Sequence, residues 1–110
     1  MLAYKIFRAE EFRAFQDQGR SQGAPIDLAD GYIHLSTADQ VRGTLTKHFA
    51  GENGLHLLAV DIDALDKVKW EPSRGGALFP HLYRELRRED VLWARPITAG
   101  LNGHEPGELE

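Results

Sequence analysis

The nearly continuous apolar segment from Leu55 to Ile62 constrains the fold more than any other part of this chain. Apart from His56 and the acidic residue at position 61, its residues are aliphatic. An apolar run of this length without alternation is typical of a strand that is covered on both faces. We therefore expect this segment to form a central strand in the core.

Size and composition predict one ordinary globular domain. The chain has 110 residues, of which 42% are hydrophobic and 27% are charged, and a chain of this length can bury an independent core. No apolar run approaches the ~18 residues of a membrane span, and the N-terminus carries no basic segment followed by an apolar one. We expect no membrane association and a cytoplasmic location.

Charge and cysteine content exclude several kinds of site. Because the chain contains no cysteine, it has no disulfide, thiolate nucleophile or cysteine-based metal centre, and no metal is indicated. A formal net charge of -4 gives no general attraction to nucleic acids. Arg84, Arg87 and Arg88 alternate with acidic residues, which is typical of a solvated surface.

Periodicity and capping residues predict two main helices. Between residues 9 and 18, Phe12 and Phe15 lie three apart among charged residues, and Gly19 is placed to end the helix. The sequence Thr-Ala-Asp-Gln at 37–40 matches a capping box, which indicates the start of a second helix. Apolar residues then recur every four positions before a glycine that can end the helix: Val41, Leu45, Phe49 and Gly51.

Three more segments predict strands. Residues 2–7 contain aromatic and β-branched side chains and predict a short strand at the start of the chain. Residues 67–71 alternate charged and apolar side chains, which predicts a half-exposed strand that ends at Pro72. Residues 91–97 predict a last strand with Trp93 buried.

The remaining segments predict little regular structure. Residues 19–30 have no clear period and indicate an irregular connection that could border a pocket. Beyond residue 98, Gly, Pro and Glu dominate without period. We therefore expect an α+β fold in one domain over residues 1–98, followed by a mobile tail over residues 99–110.

A polar row within residues 30–38 is the strongest indication of a functional site. Tyr32, His34 and Ser36 alternate with two aliphatic residues. Since side chains in a strand point to alternate faces, the three polar residues should share one face and the aliphatic pair should face the core. An imidazole near a hydroxyl, at a junction between a strand and a helix, indicates a small polar site.

Four motifs in this order resemble a bacterial family known as domain of unknown function 952 (DUF952). They are Asp-Gly-Tyr-Ile-His-Leu-Ser-Thr-Ala-Asp-Gln at 30–40, Leu-Leu-Ala-Val-Asp at 57–61, Trp-Glu-Pro at 70–72 and Phe-Pro-His-Leu-Tyr at 79–83. The resemblance extends to about residue 97. Because that family is grouped with ADP-ribosyltransferase-like folds, it implies a split, strongly bent β-sheet, flanked here by the two helices, that holds NAD or ADP-ribose.

The resemblance implies a late-strand carboxylate, for which Glu71 is the candidate. We further hypothesise a site where the polar strand meets residues 81–83, with His34, Glu71 and His81 as its catalytic residues. Glu71 would hold the ribose and stabilise the positive charge that develops as the nicotinamide–ribose bond breaks. His34 and His81 would transfer protons or donate hydrogen bonds.

Further residues are candidates for binding the ligand that the resemblance implies. Lys5 matches a position where such folds more commonly have His or Arg, and Lys5 or Arg74 would meet the diphosphate. An aromatic ring, that of Tyr32 or Tyr83, would stack on a base. The hydroxyl residues of the polar strand complete the set: Ser36 and Thr37.

Each of these residues also has a structural interpretation. His34 can hydrogen-bond a neighbouring carbonyl, and Thr37 can be an N-cap only. Tyr83 can be a ring at the edge of the core with its hydroxyl in water. Glu71 can be an exposed strand carboxylate, and Arg74 beside two glycines can be a turn residue, since the chain has no nucleotide-binding fingerprint.

Three classes of function follow from these alternatives. The first is an enzyme acting on NAD or an ADP-ribose-bearing molecule, of the ADP-ribosyltransferase or 2'-phosphotransferase kind. The second is a non-catalytic module that binds a nucleotide or another small metabolite in the same cleft. The third is a protein-interaction domain, which would neither turn over NAD nor be stabilised by it. For the first two, the expected partner is a small nucleotide-like molecule.

Overall fold

Antiparallel strands make up most of the regular secondary structure. A computed structural model describes residues 1–73, 76–100 and 103–109. Its strands are β1 (Leu2–Phe7), β2 (Arg20–Ser21), β3 (Ile33–His34), β4 (Ser36–Thr37), β5 (His56–Asp61), β6 (Val68–Pro72), β7 (Leu78–Leu82), β8 (Leu86–Arg87), β9 (Val91–Pro96), β10 (Thr98–Gly100) and β11 (Gly103–Glu105). Its helices are α1 (Ala9–Gln18), α2 (Pro25–Asp30) and α3 (Ala38–His48). The predicted α+β class is confirmed.

The predicted central strand is confirmed as β5. It lies inside a four-stranded sheet with the order β4-β1-β5-β9. Leu58 and Val60 pack into one apolar cluster, whereas Leu57 and Ala59 pack into another, and all four are fully buried. Since neighbouring residues of a strand point to opposite faces, both faces of this sheet are covered. That burial explains why the segment carries almost no polar residues.

The polar row of residues 32–36 is divided between two sheets. β3 pairs with β7 in a three-stranded sheet of order β3-β7-β6, whereas β4 pairs with β1 in the four-stranded sheet. The chain crosses between the sheets at Leu35, whose amide donates to the Pro80 carbonyl at 3.1 Å. The prediction of one continuous strand is therefore wrong. Ile33 and Leu35 do face the core as predicted.

α1 begins and ends where the sequence predicted. Gly19 adopts the left-handed conformation with φ 75°, and its amide donates to the Phe15 carbonyl, so the glycine ends the helix without strain. Phe15 packs on Phe7 with 5.8 Å between ring centroids, and Phe12 stacks on His56 at 4.3 Å. These two rings fix the helix against the four-stranded sheet.

α3 also confirms its predicted start. The Gln40 side chain accepts a hydrogen bond from the Thr37 amide at 3.0 Å, which completes the capping interaction. Val41 and Leu45 are buried. The helix ends at His48, before the predicted terminator Gly51, which instead lies in the following turn with φ 76°. Within the described ranges, no helix is long and apolar enough to cross a membrane.

Residues 19–30 contain regular structure, contrary to the prediction of an irregular connection. They form β2, which pairs with β8, and α2, so the described fold has three helices rather than two. α2 lacks the usual amphipathic pattern because Ile26 and Leu28 are exposed whereas Asp27 is buried. A helix with its apolar residues in solvent gives no periodic signal, and this explains the error.

The described residues beyond 98 also form structure. β10 and β11 pair as a short antiparallel ribbon, and Leu109 packs on the apolar cluster that contains Leu57. The Arg95 guanidinium donates to the Pro106 and Glu108 carbonyls at 2.7 and 2.6 Å and lies over the Trp93 ring. Trp93, which the sequence predicted to be buried, is half-buried. Mobility of the segment stays a prediction.

Candidate functional site

Two histidines meet where β3 pairs with β7. His34 and His81 are register partners in that pairing, and their ring centroids lie 5.4 Å apart. The sequence predicted both residues as site residues, and the antiparallel pairing brings them together across 47 positions of chain.

Glu71 and Tyr83 fix the His81 imidazole. His81 is 2% exposed, and its Nδ1 lies 2.8 Å from Glu71 Oε1, which also accepts a hydrogen bond from the Tyr83 hydroxyl at 2.5 Å. The hydrogen bonds from Tyr83 and His81 lower the pKa of Glu71. The same interaction raises the pKa of Tyr83 to about 12. At neutral pH, Glu71 is therefore an anion that accepts hydrogen bonds from Tyr83 and His81.

This arrangement leaves one imidazole nitrogen of His81 available. Because an ionised carboxylate can only accept, Nδ1 of His81 carries the proton that it shares with Glu71. The other nitrogen, Nε2, is buried and has no hydrogen-bond partner among the described residues. In the neutral ring, Nε2 is an acceptor with a free lone pair. A buried polar atom without a partner is uncommon and calls for a ligand or a functional reason.

Aromatic rings hold His81 in place. Tyr32 stacks on the His81 ring with a centroid distance of 4.1 Å and an interplanar angle of 26°. The ring centroids of Tyr83 and Tyr32 lie 5.2 Å apart. The Lys69 ammonium lies over the Tyr83 ring, 4.9 Å from its centroid. The sequence predicted that either Tyr32 or Tyr83 stacks on a base of the ligand, and this stays a prediction. In the structure the two rings contact each other, and Tyr32 also stacks on His81.

Asp27 connects His34 to Lys5. Its side chain is fully buried, and it accepts hydrogen bonds from Lys5 Nζ at 2.6 Å, Ala24 N at 2.7 Å, His34 N at 3.0 Å and His34 Nδ1 at 2.6 Å. Burial opposes the ionisation of Asp27, but the hydrogen bond from His34 and the charge of Lys5 outweigh it and lower the pKa to about 2. Asp27 is thus a buried anion with four donors.

His34 contacts a second carboxylate through its other nitrogen. Nε2 lies 3.0 Å from Oδ2 of Asp30, the last residue of α2. Both ring nitrogens therefore face carboxylates, and both can donate at once only in the imidazolium form. His34 is half-buried, and Asp30 is more exposed.

A cleft opens beside the two histidines. Its volume is about 780 Å³, within the range of small-molecule sites. Strands of both larger sheets and residues of all three helices line it, with polar and apolar groups mixed. Among its lining residues are Lys5, Arg8, His34, Ser36, Gln40, Thr44, Lys47, Phe49, Phe79 and His81.

Several predicted ligand-binding residues have partners within the protein. Lys5 lines the cleft, and its ammonium is paired with Asp27 and donates to the His34 carbonyl; its role at a diphosphate stays a prediction. Ser36 is buried and bonds the Thr44 hydroxyl at 2.9 Å. Thr37 is the N-cap of α3.

Glu71 and Arg74, which the sequence also predicted as site residues, are not among the described residues that line the cleft. Glu71 is absent from the described lining of the cleft and contacts His81 instead. In the structure it therefore supports His81, and its role at a ribose stays a prediction. Arg74 lies outside the described residues.

Sequence reasoning missed both carboxylates that bind His34. Asp27 is the third residue of a helix that begins with Pro25, and an acidic side chain at this position accepts from the amide before the helix. Proline followed two residues later by aspartate is a recognisable helix start, so this signal was available. Asp30 lies four residues before His34, with no pattern that distinguishes it. Within the described ranges, no group of three His, Asp or Glu side chains could hold a metal ion.

Comparisons with known proteins find a family without an assigned function. Residues 6–94 match the model of the family described as "Protein of unknown function (DUF952)". The chain is similar to protein CC0527 from Caulobacter crescentus. Against its crystal structure the identity is 45%, the coverage is 94% of this chain and 92% of that chain, and the TM-score is 0.89. Against its solution NMR structure the identity is 45%, the coverage is 94% and 90%, and the TM-score is 0.84. No curated protein matches.

Proposed function

We propose that this chain, which belongs to the DUF952 family of proteins of unknown function, binds NAD or an ADP-ribose-bearing nucleotide in the cleft and uses His81 as a proton acceptor there. The observation that carries the proposal is the buried, unpartnered Nε2 of His81, in a residue that lines the cleft. A neutral imidazole oriented by a carboxylate is a common general base. The ligand would supply the missing hydrogen-bond partner.

The cleft suits a nucleotide in size and composition. About 780 Å³ is enough for a ligand of cofactor size. Apolar side chains such as Phe49 and Phe79 can contact a base, while Lys47 and Arg8 bring positive charge to the lining. The Arg8 charge is shared with Glu52 at 2.7 Å, so Lys47 is the better candidate for a phosphate. An ADP-ribosyltransferase-like architecture, implied by the grouping of the DUF952 family with such folds, would hold NAD in a cleft of this kind.

The proposed roles differ from those expected from the sequence. His81 takes the proton from a hydroxyl or water, and Glu71 stabilises the imidazolium that forms, through the Nδ1 contact. His34 lies between two carboxylates, and in its imidazolium form it would donate a hydrogen bond from each ring nitrogen. Glu71 is then a positioning residue rather than the group that holds the ribose.

A thermal-shift titration with NAD, ADP-ribose and 2'-phosphorylated nucleotides tests binding, since a ligand that binds only the folded state raises its apparent stability. His81→Asn keeps an amide near the position of Nδ1, where it can still donate to Glu71, but removes Nε2. We expect this variant to lose the ligand-induced shift. His81→Gln, which places an amide near the position of Nε2, should retain part of the shift.

His56→Asn is the matched control. His56 also has a buried ring nitrogen without a hydrogen-bond partner among the described residues, but it stacks on Phe12 and is not among the residues that line the cleft. The control should keep the full ligand-induced shift. If none of the nucleotides stabilises the wild type at millimolar concentration, the proposal is wrong.

A non-catalytic binding module is the second candidate, and one observation favours it. Glu71, the carboxylate predicted from the sequence to stabilise a ribose cation, accepts hydrogen bonds from Tyr83 and His81 and is not among the described residues that line the cleft. Incubation with NAD and measurement of released nicotinamide separates the two functions. Stabilisation by NAD without release over many hours would support the binding module, whereas release that His81→Asn abolishes would support the enzyme.

A further inference from the structure

We infer that Asp30 occupies the place of a ligand phosphate at His34, and that a phosphorylated ligand binds by displacing it. This inference rests on the proposed function only in its choice of ligand, and its own evidence is the pair of carboxylates around His34. One of these carboxylates is fixed by the fold and the other is free to exchange.

Asp27 is the fixed carboxylate. It is fully buried and accepts four hydrogen bonds, including one from the His34 amide and one from the Ala24 amide. Moving it would leave the Lys5 ammonium, 5% exposed, without its counter-charge, which is costly. The contact with His34 Nδ1 therefore persists in any ligand-bound state.

Asp30 is the exchangeable carboxylate. Its side chain is 42% exposed, it ends the short helix α2, and the following Gly31 has φ 86°. Its Oδ2 atom lies 3.0 Å from His34 Nε2. Exposed pairs of this kind contribute little to stability, typically below ~1 kcal/mol. The side chain can therefore rotate into solvent at low cost.

The local charges favour an anion in place of Asp30. Lys5, Asp27 and protonated His34 carry a sum of one positive charge, and Asp30 neutralises it. When Asp30 turns away, the imidazolium edge at Nε2 remains as a donor without a partner beside a cleft of nucleotide size. A phosphate oxygen satisfies that donor and carries more charge than a carboxylate. The ligand class is thus a nucleotide or sugar with a terminal or bridging phosphate.

The other charged groups around His34 agree with this assignment. Glu71 accepts hydrogen bonds from Tyr83 and His81. Tyr32, whose ring lies 4.7 Å from that of His34, has a pKa raised by burial and by the charges of Asp30, Glu71 and Asp27, so it stays neutral at physiological pH. Neither group supplies a competing anion to Nε2.

The test compares binding of inorganic pyrophosphate to the wild type, Asp30→Asn and Asp17→Asn. Asp30→Asn removes the internal competitor with little change in shape, and Asp17→Asn makes the same change of net charge at the exposed end of α1. Titrations are carried out at about pH 5.5, within the range where histidine side chains change charge. Chemical shifts of the histidine ring nitrogens report which histidine binds.

We expect Asp30→Asn to bind pyrophosphate about fivefold more tightly than the wild type, with shifts at His34, since a surface pair of ~1 kcal/mol no longer competes. Asp17→Asn should match the wild type. Equal affinity in all three proteins, tighter binding in Asp17→Asn as well, or no binding in any of them would overturn the inference.

The outcome separates this inference from the proposed function. If NAD stabilises the wild type but Asp30→Asn does not tighten pyrophosphate binding, the nucleotide site stands and the displacement of Asp30 is wrong. If Asp30→Asn tightens pyrophosphate binding at His34 while NAD and ADP-ribose bind to neither protein, the anion site stands and the nucleotide assignment is wrong.

Discussion

Asp27→Asn should destabilise the fold by about 3 kcal/mol, because it removes the negative charge that neutralises buried Lys5 and orients His34. Two estimates bracket this value. The pKa of Asp27 is lowered from 3.8 to about 2, which corresponds to roughly 2.5 kcal/mol of stability. Breaking a buried ion pair by removing one partner typically costs ~3–5 kcal/mol.

The sign of the pH dependence follows from the lowered pKa. The stabilisation from ionised Asp27 is fully present above about pH 4 and is lost as the pH falls through the folded-state value of about 2. The wild type should therefore lose stability between about pH 4 and pH 2, and the difference from Asp27→Asn should shrink over the same range. Urea unfolding monitored by tryptophan fluorescence gives the free energy of unfolding at each pH.

A double variant and a surface control make this prediction specific. Lys5→Met combined with Asp27→Asn should cost less than the sum of the single changes, because no unpaired charge is then buried. Asp63→Asn, at an exposed contact with the N-terminus, should cost under ~1 kcal/mol. A loss below ~1 kcal/mol for Asp27→Asn at pH 7, or a difference that is constant from pH 6 to pH 2.5, would refute the reasoning.

Other perturbations test the same cluster. Gly23→Ala should destabilise by about 2 kcal/mol or more, because its φ is 104° and an added Cβ would lie 2.4 Å from the Asp27 carboxylate; thermal unfolding measures this, and an unchanged midpoint would contradict it. Tyr83→Phe should raise the pKa of Glu71 toward 4.5, because the hydroxyl that donates to Glu71 is gone; carbon NMR of the carboxyl measures it, and an unaltered titration would show that Tyr83 does not stabilise the anion. Leu58→Ala should cost ~2–5 kcal/mol at its fully buried position in β5, and a loss under ~1 kcal/mol in urea unfolding would argue against a tightly packed centre.

Local signals account for the parts of the fold that could be predicted from the sequence. The limits of α1, the start of α3 and the position of β5 each depend on periodicity, a cap or a continuous apolar run. The crossing at Leu35 could not be predicted in this way, because it is set by pairing with Pro80 at a distant point of the chain. α2 was not predicted because its buried residue is Asp27, whereas its apolar residues Ile26 and Leu28 are exposed.

Of the residues in the candidate site, the sequence predicted the two histidines and Glu71 but not Asp27 or Asp30. His34 and His81 stood out as polar residues in apolar segments, and the β3–β7 pairing brings them together. Asp27 meets Lys5 across 22 positions, and Glu71 reaches His81 rather than the cleft. Such contacts depend on tertiary packing. The chemistry of each residue taken alone therefore predicted side chains free to bind a ligand, whereas in the structure these side chains bond to one another.

Histidine ring-nitrogen NMR spectra, recorded while NAD is added to the wild-type protein, test the central claim most directly. The account predicts that Nε2 of His81 changes its chemical shift in a saturable manner, as its unpaired position gains a partner, while the ring of His56 stays unchanged. No change at any histidine with millimolar NAD, or saturable changes at His56 without any at His81, would contradict it.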